Sequence, residues 1–364
     1  MLDYDKSISV FQAMRNTGLL ILLFAAALRA GPGRTFTVCG VIRNEDTGDP
    51  VTFVNVFLAN TTRGAAADEA GFYRIDNIAP GRYDVVFSRI GYEIKIVPLH
   101  LSPGRHASVT LDTELTPKII DGEEIYVEAS RNKQWRRDLK RFIRIFIGES
   151  DNARRCEIRN PEVLDFERNP ETGAFIARTD SLLRIENHEL GYHLDCALGL
   201  FNWPTMEEGI YIVYPFYREM EAKDANQQAR WIKRRRDTYN GSRRHFLWSL
   251  YHGRMNEDFF TLYKGELDYR SSLSSGVFNV LEPKAIQWAW ADSNYSVKRF
   301  YYKGFFRVVN TLYGHDSRIK FKLDFADIDS MGNDISPSTY SVITRGDWGR
   351  YRVADMLPFD YVPD

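Results

Sequence analysis

The chain has 364 residues, with 48 basic and 49 acidic side chains for a formal net charge of -1, so bulk charge selects no partner and gives no footprint for a polyanion. Apolar residues make up 44% and charged residues 27%, which excludes wholesale disorder and suits two domains with a core each.

The first 30 residues read as an export signal. Residues 18–28 form an apolar run between Arg15 and Arg29, well short of the ~20 residues that a membrane-spanning helix needs. The run fits the apolar region of a signal peptide, with small residues for cleavage after Ala27 or Ala30. An uncleaved anchor is the alternative. Asp3 and Asp5 are untypical of a signal's start, whereas Met14-Arg15-Asn16 suits one, so translation is expected to begin at Met14. The expected location is the periplasm or the outer membrane, where nucleic acid is no partner. Three cysteines, Cys39, Cys156 and Cys196, make no disulfide framework. They read either as small buried side chains or as a Cys156–Cys196 bridge with Cys39 left over. Cys39 lies too far past the apolar run, and behind Val38, to carry a lipid.

After Gly31-Pro32-Gly33, strands alternate with turns at about ten-residue spacing, the pattern of a β-sandwich. Residues 36–42 form the first strand, and Gly48 can take positive φ in the loop that follows. Val54, Val56 and Leu58 share one face of the second strand, with Asn55 and Phe57 on the other. Asp68 opens a turn by accepting backbone amides, and Gly71 supplies its left-handed position. Pro80-Gly81 turns the chain again, and Tyr83, Val85 and Phe87 then alternate with Asp84, Val86 and Ser88. Ile94 and Ile96, then Val109 and Leu111, belong to the last two strands, for seven in all. The acidic turns at Asp46, Asp49, Asp68 and Glu69 do not supply the six to eight oxygens that calcium takes, so no metal is expected there.

Thr47-Gly48-x-Pro50, Val54-Asn55-Val56, Asp68-x-x-Gly71-x-Tyr73, Pro80-Gly81-x-Tyr83 and Gly91-Tyr92, in that order, resemble the carboxypeptidase regulatory-like domain, a transthyretin-like, immunoglobulin-like β-sandwich. The resemblance covers 36–115. In metallocarboxypeptidases such a module follows a zinc peptidase domain, and related modules precede the plugs of outer-membrane receptors. The remaining ~250 residues are too few for a plug and a 22-stranded barrel.

Beyond a linker at 116–130 the pattern changes, and 131–364 read as a larger α+β domain. Trp135, Leu139, Phe142, Ile143 and Phe146 fall at helical spacing, with Arg136, Arg137, Lys140, Arg141 and Arg144 around them. Gly148 ends that helix. Such a basic amphipathic helix either faces a core or lies on an anionic membrane surface. Strand-like runs follow at 156–158, 163–166, 174–178, 181–186, 192–201 and 210–217. A helix over 224–238 is expected to turn Ala225, Ala229 and Ile232 to a core, and Ser242 caps a second helix that Gly253 ends. Runs at 259–263, 285–290, 297–310, 318–325 and 339–344 complete the β part. Cys156-x-Ile158-x-Asn160-Pro161, Ile185-Glu186-Asn187 with Leu190-Gly191-Tyr192, Gly241-Ser242-x-x-His245-Phe246-Leu247 and Ala354-Asp355-x-Leu357-Pro358 resemble the corresponding half of exported bacterial proteins that carry a carboxypeptidase-like regulatory domain. That resemblance brings no catalytic residue with it.

Catalytic spacing is missing. In His188-Glu189-Leu190-Gly191-Tyr192-His193 the two histidines are five apart, whereas zinc ligands on one helix sit four apart. None of His100, His106, His188, His193, His245, His252 or His315 has a glutamate three residues on, as the peptidase zinc pattern requires. There is no Gly-x-Ser-x-Gly elbow and no Cys-x-x-Cys. No catalytic residue, metal or cofactor is therefore expected. His193 and Asp195 do share a strand face, and with Glu186 they form the one constellation a hydrolase would need to bring into a pocket. All seven tryptophans lie in the second domain, from Trp135 onward. Trp288 and Trp290 share a strand face, and either fill a core or, exposed, offer a platform to sugar rings or a partner's apolar surface. Arg234, Arg235 and Arg236 suit an acidic glycan or a phosphate-bearing lipid, or else end a solvated helix. The expected function is an exported, non-catalytic envelope protein that binds or scaffolds a glycan or protein. The alternatives are an envelope hydrolase and attachment to anionic membrane through the helix at 131–147.

Overall fold

Alternation in the first module becomes two facing sheets. The computed structural model describes residues 35–101, 108–118, 133–204, 209–264, 279–292, 296–336 and 342–363. The expected signal with Met14, Ala27 and Ala30, and most of the expected linker, lie outside these. Strands β1 (Phe36–Asn44), β4 (Phe72–Ile78), β7 (Ser108–Thr110) and β8 (Thr113–Leu115) form one sheet. Strands β2 (Asn55–Leu58), β3 (Gly64–Ala66), β5 (Gly81–Ser88) and β6 (Lys95–Leu101) form the other, in the order β3-β2-β5-β6. β7 and β8 run parallel to β1 one after the other, so eight strands fill the seven expected lanes. The break between them has a local cause. The Asp112 carboxylate accepts the Val41 amide at 2.8 Å. Gly40 meanwhile lies so close to the Leu111 carbonyl oxygen that a Cβ there would sit 2.2 Å from it. The turn at Asp68 forms as its residues require: its carboxylate accepts the Ala70 and Phe72 amides at 2.9 Å each, and Gly71 has φ of +74°. Val38, Val54, Val56, Leu58, Tyr73, Val85 and Phe87 fill the space between the sheets.

The next strands, β9 (Cys156–Ile158), β10 (Asp165–Arg168), β11 (Phe175–Arg178), β12 (Leu183–Asn187), β13 (Tyr192–Trp203) and β14 (Ile210–Glu219), form an antiparallel six-stranded sheet. Helix α1 (Lys133–Phe146) lies on it, and Phe142, Ile145 and Phe146 are buried with Phe175, Ile185 and Phe201. This overturns the membrane-surface alternative for this helix: the apolar side that would enter lipid is already covered by the sheet. Its basic side is also partly committed, since Arg141 stacks over Phe175 at 4.7 Å.

Helices α2 (Ala225–Tyr239) and α3 (Arg243–His252) follow, with β15 (Phe260–Lys264), β16 (Asn279–Val280), β17 (Gln287–Trp290), β18 (Val297–Tyr301), β19 (Phe305–Asn310), β20 (His315–Phe321), β21 (Phe325–Asp329) and β22 (Val342–Gly346). The expected inner face of α2 is corrected. Ala225, Ala229 and Ile232 are exposed, and the buried stripe is Trp231, Arg235 and Tyr239. Both stripes have helical spacing, but an indole and a phenol bury far more area than two alanines and an isoleucine. The run at 297–310 is two strands in different sheets, parted at Gly304, whose φ is +93°. The order β16-β15-β19-β20-β22 makes a five-stranded sheet and β17-β18-β21 a three-stranded one. Phe246, Leu247 and Leu250 of α3 pack with Phe260, Phe306, Ile319 and Ile328. The described residues of this half thus hold one large apolar cluster under α1 and another under α3.

The sandwich docks on the six-stranded sheet. Phe57 and Val86 point away from the sandwich interior and are buried against Ala197, with the Phe57 ring stacked on Phe216 at 5.2 Å. Backbone bonds cross the seam from the Asn60 amide to the Pro215 carbonyl, 2.6 Å, and from the Tyr217 amide to the Thr61 carbonyl, 3.0 Å.

Candidate functional site

Of the two readings of Trp288 and Trp290, the structure takes the exposed one. Among the described residues β17 is an edge strand, hydrogen-bonded to β18, and its four residues are all exposed. Trp288 is 49% exposed and Trp290 38%. Their rings meet edge to face, with centroids 5.4 Å apart. Lys298, across the pair on β18, fixes them. Its ammonium lies 4.3 Å from the Trp288 ring centre, 5.3 Å from that of Trp290 and 4.6 Å from that of Tyr251. It also donates to the Tyr251 carbonyl oxygen at 2.6 Å. Burial among these groups lowers the Lys298 pKa. The cation holds one side of the aromatic group, and the exposed indole surface is left to the outside. Beside Trp288 a groove of about 680 Å³ is walled by Leu250, Met255, Ile286 and Phe300.

The three arginines do not form a patch. Arg235 is 5% exposed, donates to the Leu190 and Gly191 carbonyls at 2.7 and 3.0 Å, pairs with Glu219 at 3.1 Å and stacks over Tyr192 at 3.9 Å. Arg234 donates to Asn152 at 2.8 Å and faces Asp151 at 3.7 Å. Arg236 is exposed. Successive helical residues point about 100° apart, so three in a row cannot share a face.

Glu186, His193 and Asp195 share one face of the six-stranded sheet without forming a catalytic set. Glu186 and His193 are cross-strand neighbours, 3.7 Å apart, but Glu186 is shared with His188 at 3.2 Å and Arg159 at 3.8 Å. Asp195 is bound by Arg218 at 2.7 Å, at the rim of a cleft of about 780 Å³ between sandwich and sheet. His188 to Gly191 form the turn between β12 and β13, and His193 lies on β13. The Asn187 side chain accepts the Leu190 amide, and Gly191 has φ of +69° against the Trp231 ring. Cys156 and Cys196 are free. Burial pushes the Cys156 thiol up to about 12 and the Cys196 thiol well above its ordinary value, so both behave as small apolar side chains.

Tyr251 and Lys298 were not singled out from the sequence as site residues. Neither motif nor spacing ties them to Trp288, since α3 and β18 meet β17 only in the folded chain. The docking of the sandwich did leave a trace: Phe57 and Val86 are large apolar residues at positions the alternation assigns to solvent.

Residues 38–127 match the family model of the CarboxypepD_reg-like domain. No curated protein matches the chain by sequence. Among solved structures it is similar to a mutant type II cohesin–X-dockerin complex from Acetivibrio cellulolyticus, at 23% identity and TM-score 0.19 over 22% of this chain and 56% of that one. It is also similar to the pilus 2b backbone protein of group B streptococcus, at 13% identity and TM-score 0.21 over 23% and 42%. A third is the major pilin subunit of Bacillus cereus, at 13% identity and TM-score 0.20 over 23% and 30%. The chain thus spans less than two thirds of the length of each.

Proposed function

We propose, for a chain whose residues 38–127 match the family model of the CarboxypepD_reg-like domain, that it is an exported, non-catalytic binding protein of the cell envelope that takes a glycan on Trp288 and Trp290. The exposed indole pair on an edge strand carries this reading. Leaving that much aromatic surface in water costs stability that burial would recover, so its exposure calls for a ligand. Indoles offer flat apolar faces to the C–H faces of sugar rings and an N–H to their hydroxyls. Lys298 and Tyr251 hold the rings in place beforehand, which lowers the ordering cost of binding. The non-catalytic part rests on Glu186 and Asp195, whose carboxylates are engaged by His188, Arg159 and Arg218. Export rests on the apolar run at 18–28.

The test is affinity electrophoresis of the mature protein through gels containing envelope polysaccharides. Retardation is expected, with Trp288→Ala and Trp290→Ala each weakening binding up to about tenfold while circular dichroism stays unchanged. No retardation by any glycan would sink the glycan reading. Capture of one stoichiometric envelope protein, lost in the same variants, would favour a protein partner instead. Turnover of a peptide or glycan library would replace binding with hydrolysis, and N-terminal sequencing of the secreted protein tests the export signal.

A further inference from the structure

We propose that a cavity where the sandwich, the six-stranded sheet and α3 meet binds a short peptide with free termini. The cavity measures about 600 Å³, within the ~300–1,000 Å³ of small-molecule sites. It is separate from the tryptophan groove, and nothing in the proposed glycan binding depends on it.

Two charged side chains of opposite sign line it without a hydrogen bond or ion pair among the described residues. The carboxylate of Asp84, on β5 of the sandwich, makes no hydrogen bond or ion pair among the described residues, and burial raises its pKa. The guanidinium of Arg243, exposed on the first residue of α3, also makes none among the described residues, although its charge acts on nearby Asp334. They do not pair with each other. Asp334 spends one carboxylate oxygen on the Ser336 hydroxyl and amide, at 2.6 and 3.2 Å. The neighbouring arginines are already committed. Arg244 donates to the carbonyls of Pro358, Phe359 and Tyr361, and Arg82 to that of Ile335.

A partly desolvated carboxylate is costly when unpaired, and an ammonium group would offset that cost. Arg243 offers the planar donor fork that suits a carboxylate. One ligand with both groups serves both residues, which is the definition of a zwitterion. Leu99, Ile212, Val213 and Ile335 add apolar wall to the same cavity, room that a free amino acid would leave to water and a peptide's side chains would fill.

The probe is L-leucyl-L-leucine, titrated calorimetrically into the mature chain beside its N-acetylated and C-amidated forms. The free dipeptide is expected to bind, with each blocked form weaker by about tenfold or more. Asp84→Asn should abolish the penalty for N-acetylation, and Arg243→Gln that for amidation. Both side chains lie outside the cores, so the variants should fold, and circular dichroism checks this. No heat with the free dipeptide at millimolar concentration, or equal affinity for all three forms, overturns the proposal. Trp288→Ala should leave dipeptide binding unchanged, so failure at one site is distinguishable from failure at the other.

Discussion

Arg235 and Asp84 show how burial separates residues that look alike in the sequence. Arg235 stands in a run of four basic residues, yet its guanidinium closes the turn carbonyls of Leu190 and Gly191 from beneath. Arg235→Ala is expected to cost about 2–3 kcal/mol in urea unfolding, because buried carbonyls lose their donor, whereas Arg236→Ala on the exposed side should change stability by under about 0.5 kcal/mol. Asp84 works the other way. Its carboxyl pKa is raised in the folded chain by burial, so the folded state holds the proton more tightly than the unfolded one. Stability then falls as pH rises through the window between the ordinary carboxylate value and the raised one. Asp84→Asn should melt higher than the parent at pH 7, and the difference should vanish below pH ~4, the unfolded carboxyl's range. Equal melting temperatures at neutral pH would show that the carboxylate carries no such penalty.

At the scale of elements, local signals placed most of the boundaries. Ser242 caps α3 as its position implies, its hydroxyl accepting the His245 amide at 3.2 Å, and Gly253 ends the helix with φ of +69°. Ser242→Ala is expected to lower stability by about 1 kcal/mol, with Ser242→Asp restoring most of it, as read by thermal melts. Where expectation failed, a longer-range contact had decided. The inner face of α2 follows Trp231, which packs against Gly191 and donates to the His188 carbonyl at 2.8 Å. The run 297–310 changes sheet at Gly304 because β18 finds β17 and β21, while β19 finds β15 and β20. Neither partner choice is encoded in the run itself.

For the whole molecule, the segment after Arg352 ties the units together. Val353 and Ala354 enter the core under α1, and the Ala354 carbonyl accepts from Asn187 at 2.9 Å. Arg244 of α3 grips the carbonyls of Pro358, Phe359 and Tyr361. The Phe359 amide then donates to Asn60 of the sandwich at 2.6 Å, and Asp360 accepts the Thr62 amide at 3.1 Å. Deleting residues 353–364 is expected to uncouple the units, so that calorimetry resolves two or more transitions in place of one. A single unchanged transition would show that the sandwich seam alone couples them.

The turn-and-strand order from Phe36 to Leu115 by itself determined the sandwich. Each of its signals is local: glycine at positive φ, aspartate at a turn, alternation along a strand. The cap of α3 at Ser242 was legible for the same reason. Only the tertiary structure decided which of two readings held for Trp288 and Trp290, whether the helix at 133–146 faced lipid or a core, and where the arginines pointed. Those outcomes depend on which distant element covers a face, and a periodic pattern specifies that a face is apolar without specifying what covers it. The charges of Asp84 and Arg243 meet at one cavity for that reason too: they come from units that only the folded chain brings together.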